Sequence, residues 1–61
     1  MADENEIYQD GHKLLRRLRR LCREVMDLDA SDQRCKQEAL EAFEASRDQL
    51  DAGLQTLNRL V

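Results

Sequence analysis

Proline and tryptophan are absent from this chain, and one tyrosine and one phenylalanine are its only aromatics. Without proline, no residue is present that breaks a helix interior by removing a backbone donor. Strands pack through aromatic and β-branched side chains, so their scarcity argues against a sheet protein. Two cysteines are too few for the disulfide framework of a small secreted domain, which points to free thiols in a reducing, cytoplasmic setting. Residues 1–10 are acidic and hold no apolar run, so nothing there resembles a secretory leader. No window approaches the roughly 20 apolar residues of a membrane span.

The chemistry-bearing patterns are missing as well. His12, Cys22 and Cys35 are the soft metal ligands, and they form neither a Cys-x-x-Cys nor a His-x-x-x-His spacing. There is no glycine-rich phosphate loop and no pairing of a nucleophile with a base. Glu38, Glu41, Glu44 and Asp48 recur three or four apart, but Arg34, Lys36 and Arg47 are interspersed among them, as on a solvated helix face. These absences predict a chain that is not an enzyme and takes no metal or cofactor.

What is present is helix. Ile7, Gly11, Leu14, Leu18, Leu21, Val25 and Leu28 recur in alternating steps of four and three, the signature of one helix face. In heptad terms Gly11, Leu18 and Val25 occupy a, and Ile7, Leu14, Leu21 and Leu28 occupy d. Tyr8, Leu15 and Cys22 add an e row, so the stripe is wider than a two-stranded coiled-coil seam. After Leu28 the pattern stops at Asp29-Ala30-Ser31-Asp32, which is rich in helix-capping residue types. A second seam follows as Leu40, Phe43, Arg47, Leu50, Leu54, Leu57 and Val61, supported by alanines at 39, 42, 45 and 52. Arg47 interrupts this seam, and Arg47 and Gly11 together limit which alignments of the two helices fit.

The predicted organisation is a single all-α domain over residues 1–61. It comprises a frayed acidic tail at 1–6, helix 1 at 7–28, a turn at 29–31 capped by Asp29 or Ser31, and helix 2 at 32–61. Counting outward from Ala30 places Leu21 opposite Ala39–Leu40, Leu14 near Arg47, and Ile7 against Gly53–Leu54. A short connection makes the helices antiparallel neighbours. Sixty-one residues stand near the lower limit for a self-sufficient core, and one hairpin interface cannot bury stripes this wide. The seam residues Ile7, Leu14, Leu18, Leu21, Val25, Leu28, Leu40, Phe43, Leu50, Leu54 and Leu57 are therefore expected to meet a homodimer mate or a helical partner protein. The simplest closed form is a two-fold dimer making a four-helix bundle.

Charge is distributed in blocks around a net −3. Residues 1–11 carry acids only, and so do residues 24–32. Between them lie six bases without an acid: Lys13, Arg16, Arg17, Arg19, Arg20 and Arg23. Such a block reads as a strip for a polyanion such as structured RNA, or as a solvated face paired with nearby carboxylates. The leading expectation is a non-catalytic assembly module working through its leucine seams. The alternative is an RNA-binding regulator using Arg16, Arg19, Arg20 and Arg23 on the outer face of helix 1.

The residues Leu28-Asp29-Ala30-Ser31-Asp32-Gln33, together with the chain length and the two heptad-patterned halves, resemble the Rop family of small plasmid copy-number regulators. That resemblance implies an antiparallel homodimeric four-helix bundle whose helix 1 faces bind paired RNA stem-loops. The family's aromatic on that face has no clear equivalent here, so no single site residue carries over. Ile7-Tyr8-Gln9 is similar to the signature of LYR-motif assembly proteins, but the defining arginine position is occupied by Gln9.

Overall fold

Asp3 supplies the first cap. Its Oδ1 accepts the backbone N–H of Glu6 at 2.9 Å, its carbonyl takes the N–H of Ile7, and a helix follows at once. The acids Glu4 and Glu6 in that first turn favour the positive end of the helix dipole. The computed structural model describes residues 3–61 and places helix α1 at Glu4–Asp27. The tail expected at 1–6 is thus corrected: residues 4–6 are helical because Asp3 caps them, and residues 1 and 2 lie outside the described part.

Helix α2 spans Gln33–Leu57 and tightens into a 3-10 turn at Asn58–Leu60, where continuous helix to residue 61 was expected. Its N-cap is Asp32, not Asp29 or Ser31. The Asp32 Oδ1 accepts from the N–H of Cys35 at 3.0 Å, and its carbonyl takes the N–H of Lys36. An acceptor at that position satisfies a donor that the helix itself leaves open. The connection is consequently longer than 29–31 and takes in residues 28–32. Lys36 Nζ donates to the Leu28 carbonyl at 2.9 Å, placing a cation at the negative end of α1, whose own last turn has none. Gln33 Nε2 donates to the Ala30 carbonyl at 2.7 Å.

Together these elements make the expected all-α antiparallel hairpin, with dimensions of 44 × 16 × 15 Å. The longer connection shifts the alignment by about one helical turn. Gly11, rather than Ile7, faces Leu54, and a Cβ at Gly11 would collide with the Leu54 Cδ2 methyl. Glycine here permits close approach of the two helices, and α1 runs through it without a break. Gly53 has no such partner, since a Cβ there would meet nothing within 4 Å. Gly53→Ala is therefore expected to stabilise α2 by about 1 kcal/mol through helix propensity alone, a gain that urea melts at fixed protein concentration would register.

Candidate functional site

The buried residues show which rows of the stripe the hairpin uses. Leu15, at 1% exposure, and Cys22 are buried on α1, and Leu40 and Leu54 are buried on α2. Tyr8, Gly11, Leu18 and Val25 are half-buried beside them. The a and e rows of α1 thus face α2. Leu15 and Cys22 belong to the centre of the contact. Their e positions were the available signal.

The d row is left uncovered. Ile7, Leu14, Leu21 and Leu28 are between 37% and 55% exposed, far more than a leucine in a core. Leu14 and Leu21 open onto the same groove as the half-buried Leu50, whose seven-residue spacing carries Phe43 and Leu57 along that face of α2. Leu28, just past the end of α1, lines the hollow at the turn. Between the helices, Leu14, Leu18, Leu21 and Leu50, with Ser46 and Arg17, line an open groove of about 370 Å³. The eleven seam residues named from sequence therefore fall into three groups. Leu40 and Leu54 are buried within the hairpin, Leu18 and Val25 are half-buried at its margin with Leu18 also lining the groove, and the others are exposed or half-buried outside that core.

The basic block divides because successive residues turn by 100° around a helix. Lys13, Arg16, Arg17 and Arg20 surround one surface hollow. Arg19 and Arg23 lie around a different one, floored by Cys22 and Met26 and joined from α2 by Arg47. Sequence reasoning treated the six bases as one strip and did not connect Arg47 to them. Among the described residues, Arg20 is the only member of the six in an ion pair, with Glu24 at 3.9 Å across one turn. Arg47, only 32% exposed along its side chain, is engaged by Asp48 at 3.3 Å and Glu44 at 3.9 Å. That pairing lets a guanidinium stand in the leucine seam with its stem packed and its head wet.

Two aromatic rings meet near the open end of the hairpin, Tyr8 and His12 edge to face with centroids 4.5 Å apart. Both cysteines are free, Cys22 inside and Cys35 outside. Among the described residues, no cluster of three His, Cys, Asp or Glu side chains is placed to hold a metal ion. No described helix is long and apolar enough to cross a membrane. Compared with known proteins, the chain matches no family model, no curated sequence and no solved structure, so the arrangement of its own side chains carries the functional reading.

Proposed function

We propose that this hairpin is a non-catalytic assembly module, acting in the cytoplasm, that buries its uncovered leucine row against another helical surface, a homodimer mate or a helical partner protein. The observation that carries this reading is the exposure of Ile7, Leu14 and Leu21 along one row of α1, with Leu14 and Leu21 on an open groove shared with Leu50. Contiguous apolar surface of this kind marks an interaction site. Four buried residues are also a thin core for a free-standing chain. Light scattering tests the reading. A mass above that of the 7.1 kDa chain, or a mass that rises on adding the partner, is expected. A stably folded monomer that no helical partner enlarges would overturn it.

A second reading has its own observation, the four cations Lys13, Arg16, Arg17 and Arg20 around one hollow with a single carboxylate pair among them. It is a dimeric regulator that binds structured RNA through α1, which is also what the resemblance at residues 28–33 implies. Phosphate contacts of this sort weaken steeply as salt rises. Arg16→Ala/Arg20→Ala is expected to keep the helical spectrum and lose RNA retention at low salt. Unchanged retention in a gel-shift titration would remove this reading.

A further inference from the structure

We propose that the occupant of the apolar side is a second copy of this chain, seated so that both turns lie at the same end and α1 of each copy packs on α2 of the other. This rests on the assembly reading and specifies its partner and geometry.

Area supports a second copy. The chain exposes 5066 Å², against roughly 4,100 Å² for a compact monomer of its mass. A side measuring 44 × 16 Å offers about 700 Å² per copy, which puts the pair within the usual range of stable interfaces.

Charge selects the arrangement. Two hairpins meeting on one side have two closed two-fold solutions. With the axis across the helices, α1 meets α1 of the other copy antiparallel, and the turns lie at opposite ends. With the axis along the helices, α1 meets α2 of the other copy, and the turns lie together. The outer rim of the d row on α1 is Asp10, Arg17 and Glu24, seven residues apart and all exposed.

In the first arrangement, centred between Leu14 and Leu21, Asp10 of one copy faces Glu24 of the other, and the two Arg17 side chains face each other. Every rim pair is then like-charged and repulsive. In the second, that rim meets the corresponding rim of α2, which is Ala39, Ser46 and Gly53, seven residues apart. That rim carries no charge, and its small residues leave room for the long Arg17.

Packing agrees with this choice. An axis along the helices keeps every residue at its own height, so the hairpin's internal alignment is reused between copies. That alignment sets Lys36 beside Leu28 and puts Leu14, Leu18 and Leu21 around one groove with Ser46 and Leu50. Leu14 then shares a layer with Leu50 of both copies. Leu21 shares one with Phe43, and Ile7 with Leu57.

The exposed Cys35, close to the turn, reports the geometry directly, because the buried Cys22 leaves it as the accessible thiol. A nitroxide on Cys35 and pulsed electron–electron distance measurement are combined with light scattering on the same sample. A dimer with labels on the order of 20 Å apart supports the proposal, this being the diagonal of a bundle with helices 8–10 Å apart plus the label arms. A dimer with labels about 35 Å apart or more, the axial offset of opposed turns at 1.5 Å per residue, overturns the arrangement and leaves the assembly reading standing. A labelled chain that stays monomeric overturns the second copy as occupant.

Discussion

Leu15→Ala is expected to destabilise the hairpin by about 3 kcal/mol, enough to leave the fold marginal at room temperature. Leu15 is the most enclosed side chain in the structure, at 1% exposure. Truncating a buried leucine removes its transfer energy and leaves a cavity, together about 2–5 kcal/mol. The rest of the buried set is Cys22, Leu40 and Leu54, and a core of this size supplies only about 3–5 kcal/mol in total. Nothing nearby can absorb the loss. Circular dichroism during a urea titration checks it, with protein concentration held fixed because association would shift the midpoint. Leu14→Ala is the internal control. Leu14 is 55% exposed, so within the hairpin alone its truncation costs little. A large loss there would be an independent sign that the open side is covered in solution.

Leu14→Asp/Leu21→Asp is expected to abolish assembly, lowering affinity at least a thousandfold. Both leucines line the groove between the helices on the uncovered side, so each association would bury carboxylates against apolar surface. Even after partial relaxation, a desolvated and unpaired charge costs several kcal/mol, and about 4 kcal/mol corresponds to three powers of ten in a dissociation constant. Because both positions are solvent-accessible within the hairpin, the substitutions act on association before they act on α1 itself. Light scattering should therefore report the monomer mass. Helicity of the variant should no longer depend on protein concentration, as the isolated hairpin folds on its small core alone. An unchanged mass would mean that the exposed leucines are not the contact surface, and the assembly reading would fall with them.

The helices and the break between them were legible because periodicity is local. Leu14, Leu18 and Leu21 can share a face only if the backbone turns at about 100° per residue, and no apolar anchor continues the pattern past Leu28. The rotation of α2 about α1 was not legible. A stripe of three rows specifies how wide the apolar surface is, but not which two rows meet the neighbour and which is left over. Leu15 and Cys22 went inside while Ile7, Leu14 and Leu28 stayed out. That outcome depends on the connection at residues 28–32, where Asp29, Ser31 and Asp32 are all competent caps. The choice of Asp32 sets where α2 begins. The candidate site divides in the same way. The bases were visible as a run, but their separation into two hollows, one of them completed by Arg47 from the other helix, is a property of packing.

The fit of Leu54 onto the bare backbone at Gly11 acts as a latch at the end of the molecule farthest from the turn. A slide of α2 by one heptad would bring the same leucine over Glu4 or Leu18, both of which carry a side chain where Gly11 has none. The alignment that the connection sets is therefore held a second time near the open end. Extra residues inserted at the turn would add the slow, logarithmic penalty of closing a longer loop, with the Gly11–Leu54 contact still favouring the same layers.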